Sequence, residues 1–245
     1  MTHRFFIPAN WIEPPTVQLQ GQTARQIKSV LRLKPGDEIV VLDNSGTEWR
    51  VTLTDIGNDA VTARIVEQQP AQGEPMLQLT LYQGTIKGQK FEWVLQKGTE
   101  LGVSRFVPTI CRRSVVNDGE ALAKKRDRWQ RIIQEAAEQS GRGILPRLEP
   151  AMPLAEALQQ AASSALPILL WEAEHHLALK DVLLEVAPDT IALFIGPEGG
   201  FTPDEAALAR RTGCHIVTLG PRILRAETAG LAACSAIFYQ TGEWG

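Results

Sequence analysis

Two stretches near the C-terminus, Ile191-Ala-Leu-Phe-Ile-Gly-Pro-Glu-Gly-Gly-Phe-Thr-Pro-Asp-Glu205 and Val217-Thr-Leu-Gly-Pro-Arg-Ile-Leu-Arg-Ala-Glu-Thr-Ala229, decide how this 245-residue chain is read. Each opens on a short apolar run, passes through Gly-Pro and ends at the start signals of a helix. A buried strand, a loop at its carboxyl end and a following helix is the expected local structure of both, and in open α/β sheets that crevice is where ligands bind. In the first loop Thr202 is a good N-cap, Pro203 suits the first helical position and Glu205 stands three residues on, a capping box worth about 0.5–2 kcal/mol. The orphan N–H groups of that helix are thereby engaged. Glu198, Asp204 and Glu205 are present and no Lys or Arg falls between Lys180 and Arg210, so a triphosphate would meet repulsion. Neither the Gly-x4-Gly-Lys-Ser/Thr phosphate loop nor the Gly-x-Gly-x-x-Gly dinucleotide fingerprint occurs. The loops are poor in cations and suit a neutral or cationic ligand.

Working outward, 44% hydrophobic and 22% charged residues describe an ordinary globular chain with room for two modest cores. There is no run of eighteen apolar residues and no charged-then-apolar leader, so a cytoplasmic location without membrane contact is expected. Cys111, Cys214 and Cys234 are widely spaced and odd in number, which argues against disulfides or a zinc site and for buried thiols. Residues 1–70 carry short alternating runs. Glu38–Leu42 and Glu48–Leu53 flank the turn Asp43-Asn-Ser-Gly46, and Ala60–Val66 follows Gly57-Asn-Asp59, the pattern of a small β-barrel. Thr23–Leu33 reads as a short helix with a basic side, and Arg25, Lys28 and Arg32, with Arg4, are candidate phosphate contacts or simply a solvated face. Glu67–Pro75 is the expected linker. A second domain, 75–245, then alternates strands and helices: a strand at Leu77–Tyr82, a helix at Gln89–Leu101, a strand at Arg105–Ile110, one long helix from Glu120 to Ser140, a helix at Leu154–Ala162 and a strand at Leu166–Trp171. With the two motif strands and their helices, Pro203–Thr212 and Thr228–Tyr239, this predicts a parallel sheet covered on both faces.

Net charge is −3, so bulk attraction to nucleic acid is not expected, but charge is unevenly placed. Arg105–Arg147 holds ten Lys or Arg against five Asp or Glu, whereas Glu149–Arg210 holds two against ten. Arg112, Arg113 and Arg142 in the basic segment are candidate contacts to an RNA backbone. Glu135, Glu138, Gln139 and Arg142 share a helix side, as pocket residues or as an intrahelical pair of Glu138 with Arg142, and Lys97 with Glu100 poses the same choice. His175-His176 has no completing carboxylate motif, and no metal is expected.

Gly196-Pro-Glu-Gly-Gly200 followed by Leu219-Gly-Pro-Arg-Ile-Leu-Arg-Ala-Glu-Thr-Ala229 resembles the SPOUT class of S-adenosylmethionine-dependent RNA methyltransferases. More narrowly, the chain is similar to the bacterial enzymes that methylate N3 of a uridine in 16S ribosomal RNA, the RsmE family. Arg4-Phe5-Phe6, Val30-Leu-Arg-Leu-Lys-Pro-Gly-Asp37, Gln96-Lys-Gly-Thr-Glu-Leu-Gly-Val103 and Glu135-Ala-Ala-Glu-Gln-Ser-Gly-Arg142 extend the likeness along the chain. The resemblance implies an α/β protein with an N-terminal PUA-like RNA-binding β-barrel and a C-terminal parallel-sheet domain tied in a trefoil knot. It also implies a homodimer formed through the C-terminal helices, and a 16S rRNA substrate within the 30S subunit. A related enzyme acting on tRNA or a ribose 2′-hydroxyl, and a non-catalytic RNA-binding factor, are the alternatives.

For the cofactor S-adenosyl-L-methionine, Leu219, Ile223 and Leu224 offer apolar walls to an adenine ring, and the backbone of Gly196, Gly199 and Gly220 offers hydrogen bonds. Leu170, Ile195, Pro197, Glu198, Gly200, Arg225, Thr228 and Ala229 complete the expected cofactor site. Methyl transfer to N3 requires loss of the imide proton, because the nitrogen lone pair is delocalised in neutral uracil. Arg225 is the candidate for stabilising charge on a pyrimidine oxygen or holding a phosphate. Glu227 is the candidate proton acceptor or orienter, with helix capping as its plain alternative.

Overall fold

The computed structural model describes residues 2–163, 165–185 and 188–244, which divide into two compact units. The first comprises the chain up to Glu74 together with Ala137–Leu145, and the second Pro75–Ala136 with Pro146 onward. A division of the chain at residues 70–75 would leave 137–145 in the second domain; the structure assigns it to the first.

The first unit is a curled six-stranded sheet built from β1 (Arg4–Phe6), β2 (Ile12–Glu13), β3 (Thr16–Gln20), β4 (Glu38–Leu42), β5 (Thr47–Ile56) and β6 (Ala60–Pro70), in the order β1-β4-β5-β6-β3-β2. Alternate residues Val17 and Leu19, Ile39 and Val41, Val51 and Leu53, and Val61 and Ala63 enter one core, as a period of two requires. Val40 and Leu42 face the other way and pack with Phe6 and Ala137. Bulges between Arg50 and Val51 and between Leu53 and Asp55 add local twist. The expected linker is partly strand, since Glu67–Pro70 pairs with Thr47–Arg50; its polarity reflects exposed strand residues. The basic helix starts earlier than expected, as α1 (Gly21–Arg25), and continues as a π-turn over Gln26–Val30. Arg25, Lys28 and Arg32 are exposed there, and Lys28 donates to the Gly57 carbonyl and to Asn58.

Arg142 is a correction. Its side chain is 3% exposed, and its guanidinium donates to both Glu74 carboxylate oxygens at 3.2 and 2.7 Å, while Glu74 Oε1 also accepts from the backbone N–H groups of Gly143 and Ile144. A guanidinium so enclosed is a structural cross-link and cannot meet an RNA phosphate. Arg4 is likewise largely covered and pairs with Glu48.

The second unit is a parallel sheet of β7 (Gln78–Gly84), β8 (Arg105–Ile110), β9 (Arg147–Leu148), β10 (Met152–Pro153), β11 (Leu166–Leu170), β12 (Thr190–Ile195) and β13 (His215–Val217). The order is β10-β8-β7-β12-β11-β13, with β9 also on β8. Leu79, Leu81, Phe106, Ile191, Leu193 and Ile195 point to one face and Tyr82, Val107, Ala192 and Phe194 to the other, so the strands are apolar on both sides. Helices α2 (Lys90–Leu101), α4 (Arg126–Ser140), α6 (Leu179–Glu185) and α8 (Ala226–Gln240) supply Phe91, Trp129, Val182 and Phe238 to the first face. Helices α5 (Leu154–Ala162) and α7 (Pro203–Arg211) cover the second with Leu158 and Ala209. The single helix expected from Glu120 to Ser140 is two, α3 (Gly119–Ala123) and α4, because Asp118 caps the first and the chain turns at Lys124-Lys125. Helix α6 and the short strands β1–β3 and β9–β10 are too brief for periodicity to reveal. The three cysteines are buried, and burial pushes each thiol up to about 12. Among the described residues no helix is long and apolar enough to cross a membrane.

Removing one partner of a buried pair leaves an uncompensated charge. Glu74→Gln is therefore expected to lower unfolding free energy by about 3 kcal/mol, measured by urea denaturation. Arg25→Ala, at an exposed position, is expected to change it by less than about 0.5 kcal/mol in the same measurement.

Candidate active site

A cavity of about 490 Å³ opens at the carboxyl ends of β11, β12 and β13. Leu170 ends β11, and Trp171, Glu172 and His175 follow it into the wall. Ile195, Gly196, Pro197, Glu198, Gly199, Gly200 and Phe201 form the turn after β12. Thr218, Leu219, Gly220, Arg222, Ile223, Leu224 and Arg225 run from β13 to α8, where Ala226, Glu227 and Ala229 close the wall. Thus all the residues expected to hold a cofactor line one cavity except Thr228. Thr228 is exposed in the first turn of α8, and its backbone N–H bonds the Arg225 carbonyl at 2.9 Å, so it has no place on the wall.

The turn after β12 is held by backbone proximity. A Cβ on Gly84, at the end of β7, would lie 2.5 Å from Pro197 N and 2.7 Å from the Gly196 carbonyl carbon, so these two chain segments touch without side chains between them. Beside them the buried Gln83 donates to the Gly84 carbonyl at 3.2 Å and the Gly196 carbonyl at 3.5 Å. Glu198 accepts the Lys87 N–H at 2.9 Å. Gly200 has φ +68°, where a side chain would be strained, and a Cβ there would fall 2.4 Å from the Glu172 carboxylate, which would have to move aside.

Arg113 is exposed but employed: its guanidinium donates to the carbonyls of Gly199 at 2.8 Å and Phe201 at 3.5 Å. The Phe201 carbonyl also accepts the Trp171 indole N–H at 3.3 Å, and the Arg210 guanidinium lies 5.7 Å from the Trp171 ring. The capping box of α7 forms as expected, with Thr202 accepting from the Glu205 N–H at 3.2 Å and Glu205 accepting from the Thr202 N–H at 2.7 Å. Glu205 additionally accepts the backbone N–H of Arg112 at 2.8 Å. The Arg112 side chain is exposed. Arg113 therefore serves first as a strut of the turn after β12, which spacing alone could not reveal.

In the second loop Gly220 takes φ +103°, where a side chain would be strained, and its N–H bonds Thr218 Oγ1 at 3.1 Å. Ile223 is 86% exposed on the rim, so it forms an open flap of the apolar wall, whereas Leu219 packs on the core. Arg225 is the N-cap residue of α8; its carbonyl accepts from Thr228 and Ala229 while its side chain makes no cap and stays exposed on the lining.

Glu227, in the first turn of α8, is only 12% exposed, and its Oε1 lies 3.2 Å from Lys90 Nζ at the start of α2. Burial pushes its carboxyl up, but a bond from its own backbone N–H, the bond from Lys90 and the charges of Lys90 and Arg225 together outweigh this and hold it below the usual carboxylate range. Glu227 is therefore an anion at neutral pH. The stability this ionisation contributes is present above the unfolded-state value and is lost as the pH falls through the lower folded-state one.

The cavity is not poor in cations, contrary to the reading of the two loops alone. Lys90, Arg222 and Arg225 face it together with Glu172, Glu198 and Glu227. Lys90 was missed because it lies a hundred residues upstream of the motifs. The signal that could have found it is Gly84-Thr-Ile-Lys-Gly88, another glycine-bearing turn directly after an apolar strand. Of the other constellations, Lys97 Nζ pairs with Glu100 at 2.8 Å one turn away, and Glu138 accepts the Phe6 N–H at 3.0 Å. The carboxylate of Glu174 holds the backbone N–H groups of His175 and His176 at 3.0 and 2.9 Å and pairs with Arg210 at 2.8 Å.

Because a Cβ at Gly84 meets backbone rather than a movable side chain, Gly84→Ala is expected to cost about 1–3 kcal/mol in thermal or urea unfolding. It is also expected to shift the backbone amide NMR signals of Gly196, Gly199 and Gly200 more than those of the first unit.

Comparison with known proteins bears on what this cavity does. An RNA methyltransferase domain family matches residues 73–238, and an RNA methyltransferase PUA domain family matches residues 19–66. The chain is 37% identical to ribosomal RNA small subunit methyltransferase E of Bacillus subtilis, over 94% of this chain and 92% of that one. It is 35% identical to the protein of the same name from Synechocystis, over 97% and 77%. Among solved structures, ribosomal RNA small subunit methyltransferase E of Neisseria gonorrhoeae bound to S-adenosyl methionine superposes with a TM-score of 0.89 at 34% identity, covering 98% of each chain. A putative methyltransferase from Legionella pneumophila in complex with the same compound gives 0.88 at 31% identity, again over 98% of each. The chain belongs to the RNA methyltransferase family that includes the ribosomal RNA small subunit methyltransferase E proteins.

Proposed function

We propose that the cavity binds S-adenosylmethionine and that the protein transfers its methyl group to N3 of a uridine in 16S ribosomal RNA, the one numbered 1498. The observation that carries this reading is the convergence of the three strand-end loops on one cavity in a chain of this family. Its volume of about 490 Å³ lies within the range of small-molecule sites, with Leu170, Ile195, Leu219 and Leu224 as apolar walls and Glu172 and Glu198 beside them for a cationic group. The similar ribosomal RNA small subunit methyltransferase E of Neisseria gonorrhoeae is bound to S-adenosyl methionine. The bound cofactor supplies an electrophilic methyl carbon on a sulfonium.

What the chain itself must do follows from the acceptor. The imide N–H has to be lost and the resulting charge, spread over the nitrogen and the two flanking oxygens, has to be met by donors fixed beforehand. Arg225 is free to do this because α8 does not use its side chain as a cap. Glu227, covered and paired, acts as an orienter rather than as the proton acceptor. RNA contact is assigned to the PUA unit through Arg25, Lys28 and Arg32, with Arg112 contributing from the other. Arg113 keeps its strut role, and Arg4 and Arg142 are set aside because they are paired with Glu48 and Glu74. The same proposal includes the trefoil knot of the family's second domain, a homodimer formed through α8, and work on the 30S subunit in the cytoplasm.

Incubation with methyl-labelled S-adenosylmethionine and unmethylated 30S subunits, naked 16S RNA or tRNA is expected to place label on N3 of one uridine of the small-subunit RNA. Label on tRNA or on a ribose hydroxyl, or RNA binding without transfer, would overturn the assignment. Arg225→Ala is expected to lower kcat/KM about 10²–10³-fold while calorimetric affinity for S-adenosylhomocysteine stays within about threefold. Light scattering at micromolar concentration is expected to give twice the 26.9 kDa chain mass.

A further inference from the structure

The turn between β7 and α2 supports the loop after β12 and also brings a charge into the cavity. Lys90 lies on the lining, its side chain is 41% exposed, and its ammonium group is 3.2 Å from Glu227 Oε1. Glu227 is only 12% exposed. Both members line the cavity, and the cation is the more exposed of the two. The carboxylate beside it fixes where the cation stands.

We propose that Lys90 is a catalytic residue of this site: its ammonium group, held by Glu227, and the guanidinium of Arg225 bracket the pyrimidine ring and stabilise it as the imide anion. This rests on the assignment of uridine N3 as the methyl acceptor.

The chemistry balances without a further reagent. The N3–H bond breaks and its proton passes to solvent water, while the electron pair stays on nitrogen. N3 then bonds to the methyl carbon as the carbon–sulfur bond breaks, and the negative charge of the ring and the positive charge of the sulfonium are both discharged. No protein carboxylate has to keep the proton. Glu227 would keep it poorly, since its own N–H, Lys90 and Arg225 hold it below the usual carboxylate range.

The charge distribution along the wall agrees. Lys90 at the start of α2 and Arg222 and Arg225 in the loop before α8 supply the cations, whereas Glu172 and Glu198 follow β11 and β12. Glu172 lies against Gly200, and Glu198 is engaged by the Lys87 N–H. An anionic ring and a cationic methyl donor are complementary to two different groups of residues on one wall. His175 on the lining and Arg222 on the rim are the other charged or titratable groups facing the cavity. On α2 itself Glu92 is paired with Arg128 at 2.7 Å. The plain reading of Lys90–Glu227 is an ion pair that ties α2 to α8 and takes no part in the reaction.

The two readings separate in a pH profile. Single-turnover methyl transfer to unmethylated 30S subunits is measured from pH 6 to 9 for the full-length protein and for Lys90→Met, Lys90→Arg and Glu227→Gln. The wild-type rate is expected to rise with pH and level off where the bound ring is fully ionised. In Lys90→Met the rising limb is expected to move up by about one pH unit or more, a loss of about tenfold at neutral pH that narrows as the pH is raised. Lys90→Arg is expected to recover most of the shift, and Glu227→Gln to show a smaller shift in the same direction. Calorimetric affinity of Lys90→Met for S-adenosylhomocysteine is expected to stay within about threefold of wild type. A Lys90→Met profile with an unmoved limb, whether or not its plateau falls, overturns the role for Lys90. So does a loss of S-adenosylhomocysteine binding that accounts for the whole rate deficit. A wild-type protein that labels no uridine N3 would instead overturn the functional assignment, and this role with it.

Discussion

The site depends on two backbones meeting at Gly84 and Gly196-Pro197, where a single added carbon would overlap main-chain atoms. Main chain can approach main chain this closely only where side chains are absent. Strand β12 is buried between β7 and β11, so its carboxyl end cannot move away from theirs, and the turn that follows must pass over the end of β7. From that contact the rest follows: Gln83 bridges to the Gly196 carbonyl, the Lys87 N–H engages Glu198, and α2 starts where Lys90 reaches Glu227.

The cavity is thereby a product of sheet order. Adjacent parallel strands deliver their following loops to the same edge, and β7, β12, β11 and β13 are consecutive across the sheet. The loops are stiffened by unlike means. Trp171 and Arg113 hold carbonyls of the turn after β12, Thr218 and a positive φ at Gly220 shape the turn after β13, and the capping box fixes the start of α7. Such pre-organisation is what a transfer reaction between two bound partners requires, because misplacing either by an ångström forfeits much of the rate.

Charge in the cavity is mixed rather than uniform. Three cations and three carboxylates share one wall, and the most buried of them, Glu227, is kept ionised by neighbours despite its surroundings. A wall of one sign would favour either the methyl donor or an ionised acceptor and repel the other. In the first unit charge serves structure instead, and Arg142, enclosed with Glu74, secures Ala137–Leu145.

Much was legible in the sequence because it was local. Short apolar runs followed by Gly-Pro marked β12 and the loop after β13, Thr202-Pro-Asp-Glu205 marked the start of α7, and alternation marked β4, β5 and β6; each depends on residues within one turn or one strand. The residues expected around a cofactor lie on one cavity for the same reason, all but Thr228, which is exposed in the first turn of α8. What the sequence could not determine was which distant segments meet. Arg142 looked like any exposed arginine until Glu74, sixty-eight residues before it, enclosed its guanidinium, and Arg113 looked like an RNA contact until the carbonyls of Gly199 and Phe201 received it. Lys90 belonged to no motif, and only the pairing of β7 with β12 carried it to Glu227. Periodicity and capping are written into neighbouring residues, whereas burial and ion pairing are properties of chain segments that the folded sheet alone makes adjacent.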